Sequence, residues 1–476
     1  MRGFCRAGIV VALMIEAMLG LPLPGGQARA QRFEPEYARP LPGQAEYPIV
    51  GRSQKWALGE EIVGSSASAL VHHPLASGMQ VVERGAERLA VRVRELTAIL
   101  GSGRAMDHQG DPGDGQLDGG FGSPFLPAAI TLLPSSESAI QSLLGLVASA
   151  QHRIDLMMYG WEDDPTGREV ANALEAAARR GVAIRLLVDR GGFLLHNPAA
   201  IKNATYLDRL RTVPGITWIE PENAFARFDH RKLAVIDGAI AWTGGMILTE
   251  VARRDWENLA FLVQGPVVDQ YAALFEERWR NVGGTPGGPS RRVAAAPSSV
   301  PNATVRLIRT DDHERSLKNT IYHAVDHARH HLYIENPYFS DTTLAEKLVK
   351  ARKRGVDVRV VLTLRGNVPR LNKYGVLTTN RLVRGGVRVY LAPGMTHVKA
   401  MSADGVWAYI GTGNFDELSL RNNREAGLSV FSPGVVSSLD ASIFLPDMSR
   451  GEEVRQPLPL PPLDDQIKLE LLKIWF

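Results

Sequence analysis

Twice in this chain a histidine is followed by a lysine two residues on, an aspartate five beyond the lysine, and a glycine fourteen beyond the histidine. The first copy is His230, Lys232, Asp237 and Gly244; the second is His397, Lys399, Asp404 and Gly411. One match to such a skeleton is a weak signal, whereas two with the same downstream glycine point to a duplicated unit. Residues two apart on a strand project to the same face, so each histidine and its lysine should enter one site together. Asp237-Gly238 and Asp404-Gly405 are hairpin-turn dipeptides, and the apolar run 407–410 returns as a partner strand.

The duplication reaches upstream of both motifs. Strands are predicted at 130–133, 154–159 and 182–188, with helices over 138–151 and up to Arg180; Thr166-x-x-Glu169 reads as a capping box for the second helix. The second half repeats this order, with strands at 305–308, 332–335 and 356–362 and helices over 316–329 and 344–354. Arg180-Gly181-Val182 answers Arg354-Gly355-Val356. Alternating helices and strands imply an α/β fold, a sheet covered by helices.

The paired motifs, Asp164-x-x-Gly167 and Asn336-Pro337-Tyr338-Phe339 together resemble the phospholipase D superfamily, and most closely its cardiolipin synthase branch. The resemblance spans about residues 129–431. It implies a duplicated α/β/α sandwich, two HKD lobes with pseudo-two-fold symmetry, and one active site shared by both motifs. On this reading residues 1–30 are a signal peptide and 31–128 an N-terminal extension of unassigned role. The lobes are 129–282 and 302–432, joined by a Gly-, Pro-, Ser- and Ala-rich linker at 283–301, with a tail at 433–476.

Composition narrows the partners. Formal net charge is +3, of which +2 belongs to the first thirty residues. So balanced a remainder does not suit a protein that coats nucleic acid. Arg2 and Arg6, an apolar run, and Ala28-Arg29-Ala30 make an export signal, either cleaved before Gln31 or kept as an anchor. The sole cysteine, Cys5, lies within it. A helix is expected over 86–100, and His72-His73 reads as a surface pair. Ile467, Leu471 and Ile474 share one face of the tail, which docks on the domain or lies on a membrane.

A phosphodiester demands a nucleophile, an acid for the leaving alcohol, and positive charge for the non-bridging oxygens. The two motifs supply this set. One imidazole attacks phosphorus and the other moves the proton, while Lys232 and Lys399 stabilise the phosphoryl oxygens. Asp237 and Asp404 complete the motifs as the family writes them, and Thr412 and Asn414 are further phosphate donors. Neither motif is accompanied in the sequence by a carboxylate cluster of the two-metal kind, so neither a metal nor a cofactor is expected. The expected substrate is a phospholipid at a membrane surface, with an alcohol or water as acceptor and no nucleic acid. The alternatives are an exported nuclease and a weakly catalytic lipid-binding scaffold.

The halves are unequal. Aligning Gly244 with Gly411 sets Ile247 opposite Asn414, Thr249 opposite Asp416, and Asn258 opposite Glu425. In the family, a carboxylate at the last position orients the catalytic histidine. Pairing each residue with the histidine of its own motif gives His397 the carboxylate Glu425, and His230 only the amide Asn258. That pairing makes His397 the better nucleophile.

Overall fold

A computed structural model describes residues 123–189, 205–221, 227–286 and 300–462, with 465, 466 and 469. The signal segment, Cys5, the 86–100 helix, His72-His73, most of the linker and most of the tail lie outside the described residues. No described helix is long and apolar enough to cross a membrane.

Strands β1 (Leu126–Leu133), β2 (Arg153–Tyr159), β3 (Ala183–Asp189), β4 (Ile216–Ile219), β5 (Lys232–Ile236), β6 (Ile240–Gly244), β7 (Trp256–Glu257) and β8 (Ala260–Gln264) belong to the first half. The second half contributes β9 (Ala303–Thr310), β10 (His331–Glu335), β11 (Asp357–Leu362), β12 (Arg388–Leu391), β13 (Met395–Thr396), β14 (Ala400–Ala403), β15 (Trp407–Gly411), β16 (Glu425–Phe431) and β17 (Glu452–Val454). All but β7 and β13 form one continuous 15-stranded sheet, in the order β17-β12-β11-β10-β14-β15-β16-β9-β1-β8-β6-β5-β2-β3-β4.

That order is a palindrome of the repeat. Outward from the centre run β1-β8-β6-β5-β2-β3-β4 on one side and β9-β16-β15-β14-β10-β11-β12 on the other. The halves join edge to edge where β1 pairs antiparallel with β9, Leu126 opposite Val305 and Ala128 opposite Ala303. The pairing closes two edges that would otherwise expose unpaired amides and carbonyls. Helices cover both faces, which is why β2, β3 and β14 are buried almost throughout. Helices Ser136–Ser149 and Pro165–Arg179 pack a core on one face of the first half. Helices Ser316–His327 and Thr342–Lys353 do the same for the second. Helix Val267–Asn281 and the segment 433–444 pack the opposite face, in one core drawn from both halves.

Local chemistry explains the boundaries. Pro165 is the first helical residue, so Asp164, not Thr166, caps the second helix and accepts from the Gly167 N–H at 2.8 Å. The capping box read from Thr166 and Glu169 is therefore not formed; the Thr166 hydroxyl donates to Glu250 instead. Gly181 and Gly355 end equivalent helices with φ of +93° and +99°. Helix Pro369–Arg384 follows β11, and its Lys373 pairs with Asp465 at 2.9 Å.

Candidate active site

Both histidines lie on short straps that cross the seam between the halves. The His230 N–H donates to the Arg424 carbonyl at 3.0 Å, and the Arg424 N–H to the Phe228 carbonyl at 2.8 Å. At the equivalent place β13 pairs in parallel with β7, Thr396 opposite Glu257, and the His397 N–H donates to the Glu257 carbonyl at 2.7 Å. The regular strand expected to hold His397 and Lys399 begins only at Ala400, because the strap's partner is the other half rather than its own hairpin.

This crossing reverses the expected pairing. His230 Nδ1 lies 2.8 Å from Glu425 Oε1, and His397 Nδ1 lies 3.1 Å from Asn258 Oδ1. Each orienting residue follows the segment that pairs with the opposite strap, so it meets the other half's imidazole. Glu425 is fully buried; Ser419 Oγ donates to its Oε1 at 2.7 Å and the Thr412 hydroxyl to its Oε2. Asn258 is equally fixed, its Nδ2 donating to Ser136 Oγ at 2.9 Å and to the Ala252 carbonyl at 3.2 Å. That leaves Oδ1 as the acceptor facing His397. With Nδ1 of each imidazole held by its orienting residue, the chemistry falls to Nε2.

Lys232 and Lys399 are buried beside them. Each ammonium donates to the carbonyl of its own histidine, Lys232 to His230 at 2.6 Å and Lys399 to His397 at 3.0 Å. Burial drives Lys232 down to about 7, against the pull of Glu425, Asp229 and Asp189. Burial and the neighbouring Lys232 push Lys399 well below the ordinary lysine range. His397 is likewise held well below the usual imidazole range by burial and then by the charges of Lys399, Lys232 and His230. These mutual effects put both motifs in one electrostatic site. Burial raises Glu425, while Lys232, Thr412, Ser419 and Lys399 favour its charged form. Aromatic rings wall the imidazoles: Tyr159 lies 4.6 Å from His230 and Trp256 5.0 Å from His397, centroid to centroid.

Other expected site residues land elsewhere. Asp237 and Asp404 sit at the far turns of their hairpins, about 16 Å along the strand from the lysines. Both have left-handed backbones, φ +51° and +53°. Asp237 accepts from the N–H groups of Gln151, His152 and Arg153 at 2.8–2.9 Å, and Asp404 from those of Arg329, His330 and His331 at 2.8–3.0 Å. They staple each hairpin to the loop before β2 or β10 and take no place beside phosphorus. Thr412 commits its proton to Glu425, so it orients the carboxylate rather than binding phosphate. Asn414 hydrogen-bonds Asp416, which burial lifts to about 7, and its buried Oδ1 has no partner.

Tyr159, Trp256, Ser136 and Ser419 escaped the sequence reading. Tyr159 had one available signal: it ends β2 where Glu335 ends the equivalent β10. The structure also gathers Glu257, Glu335 and Asp447 into a carboxylate cluster beside the His397 strap. No such cluster was visible along the chain, since these residues come from three distant segments.

The family described as "Cardiolipin synthase, PLD-like domain" matches residues 143–279 and 321–444, more than half of the chain. Among curated proteins, cardiolipin synthase A of Klebsiella pneumoniae subsp. pneumoniae is 27% identical over 340 residues, covering 66% of this chain and 68% of that one. Cardiolipin synthase A of Escherichia coli O157:H7 is 27% identical over 338 residues, with the same shares. Among solved structures, phosphatidylserine synthase of Haemophilus influenzae Rd KW20 superposes with a TM-score of 0.56 at 16% identity, over 74% of this chain and 94% of that chain, a likeness of fold. Two histidine–lysine pairs meeting across a pseudo-two-fold seam, in a chain matched on both sides of it, place this protein in the cardiolipin synthase-type, phospholipase D-like family.

Proposed function

We propose that the protein transfers a phosphatidyl group between phospholipids through a phosphohistidine intermediate. One observation carries the roles: His230 has the buried carboxylate Glu425 and His397 the neutral amide Asn258. A carboxylate favours the positively charged imidazole and holds its tautomer, whereas an amide only holds the tautomer. His230 Nε2 therefore attacks phosphorus, and the bond to the leaving alcohol breaks as His397 gives that oxygen a proton. His397 then takes a proton from the acceptor hydroxyl, whose oxygen attacks the phosphohistidine and frees His230. A proton gives His397 a charge that its burial and cationic neighbours disfavour, so it is readily surrendered to the leaving group. Lys232 and Lys399 hold the non-bridging oxygens, and the incoming phosphate charge favours their protonated forms.

The acceptor that fits the family is the glycerol hydroxyl of a second lipid; water in its place gives hydrolysis. The basic, apolar start of the chain supports export to a membrane face, and the near-neutral remainder disfavours a nucleic-acid substrate. The test is to incubate the pure protein with phosphatidylglycerol vesicles and identify products by mass spectrometry. A diphosphatidyl product establishes transfer, and phosphatidic acid with free glycerol establishes hydrolysis. Neither product, with plasmid nicking in a parallel assay, overturns the lipid reading.

A further inference from the structure

Glu257 on β7, Glu335 at the end of β10 and Asp447 in the helix Leu445–Arg450 each place one oxygen within 4.8 Å of the others. Glu335 is 0% exposed and Asp447 4%, while Glu257 opens the cluster to solvent with a side chain 40% exposed. Among the described residues one cation contacts them. Arg450 reaches Glu257 Oε1 at 2.9 Å and also touches Asp447 Oδ1, but its side chain is 56% exposed and it sits at the rim. Holding all three carboxylates charged against one guanidinium is costly inside the protein. Glu335 marks where the deficit lies. Its Oε1 accepts from the Thr396 hydroxyl, while its Oε2 is buried with no hydrogen-bond partner. A buried carboxylate oxygen without a donor calls for a proton or a cation.

We propose that Glu257, Glu335 and Asp447 form a binding site for a divalent cation of the calcium class. Three oxygen ligands from carboxylates, with water completing the shell through the open Glu257 side, suit a hard cation. Carboxylate oxygens gathered within 4.8 Å of one another can share one ion. Calcium accepts such an irregular carboxylate shell, whereas magnesium demands near-octahedral geometry. The site lies behind the chemistry, not at phosphorus. Glu335 holds the Thr396 hydroxyl, and the Glu257 carbonyl holds the His397 N–H. A bound cation thus ties β7, β10 and the C-terminal helix to the strap that positions His397.

Terbium is a suitable probe, because Trp256 adjoins Glu257 and serves as its antenna. The full-length protein, excited at tryptophan, should give saturable terbium luminescence that calcium chloride displaces. Glu257→Gln, at a half-exposed position that does not endanger folding, and Glu335→Gln should each weaken terbium binding at least tenfold. Glu453→Gln, a carboxylate paired with Arg388 on β17, should leave it unchanged. Calcium chloride should raise the melting temperature of the wild type and not of Glu257→Gln. Absence of saturable luminescence, or luminescence indifferent to Glu257→Gln, overturns the site. So does a Glu335→Gln protein that melts higher than wild type while the wild type ignores calcium, since a proton shared by Glu335 and Asp447 then satisfies the orphaned oxygen.

Discussion

Glu425 accepts from Ser419, Thr412 and His230, and His230 is the one imidazole it hydrogen-bonds. Trapping the intermediate and mapping the labelled peptide should therefore find phosphate on His230. His397→Ala should still be labelled by a substrate with a good leaving group, and His230→Ala should not; label on His397 in the wild type reverses the assignment. Glu425→Gln keeps a hydrogen-bond partner for His230 but loses the charge, and should slow labelling about 10–100-fold. Asp404 acts through three amides and a strained turn, not through phosphorus. Asp404→Ala should cost about 2 kcal/mol in denaturant unfolding, because it removes charge-assisted hydrogen bonds and leaves Ala in the left-handed region. Asp404→Asn should cost less, since Asn tolerates that region. Turnover per folded molecule should survive both.

At the scale of elements, the straps are the weak links, since they are short and held by the opposite half. Gly245 lies against one of them: a Cβ there would stand 2.7 Å from the His397 carbonyl oxygen and 3.5 Å from Asn258 Oδ1. Backbone at that distance cannot yield as a flexible side chain would, so the strap must move. Gly245→Ala should lower kcat at least tenfold, with a change in melting temperature of only a few degrees. A variant with unchanged kcat shows that the strap's position is not limiting. Displacements of about 1 Å are enough to cost such factors when reacting groups must be aligned.

For the whole molecule, the seam gathers two buried lysines whose charged forms burial disfavours. Lys232 falls to about 7 and Lys399 falls well below its usual value, whereas both titrate near 10.4 when unfolded. Between about pH 7 and 10 the unfolded chain thus holds more protons at these positions than the folded one, so folding stability rises with pH. The melting temperature of the substrate-free protein should climb from pH 7.5 to 9.5, and Lys232→Met should flatten the climb. Orthovanadate, as a phosphate mimic, should favour the charged lysines and flatten it in the wild type. A slope identical in Lys232→Met removes the seam lysines as its cause.

The sequence alone determined the duplication, the α/β class, the two histidine–lysine pairs and most element centres, because each is written in local periodicity and spacing. It also contained the turn role of Asp237 and Asp404, through the Asp-Gly dipeptides. Which partner serves which histidine was not local information. Asn258 and Glu425 occupy equivalent places in their own repeats, yet the parallel pairing of each strap with the other half hands Glu425 to His230 and Asn258 to His397. The cluster of Glu257, Glu335 and Asp447 arises the same way, from segments that meet only when β1 and β9 close the two half-sheets into one. Contacts across a pseudo-symmetry axis join residues far apart in sequence, and no pattern within either repeat encodes them.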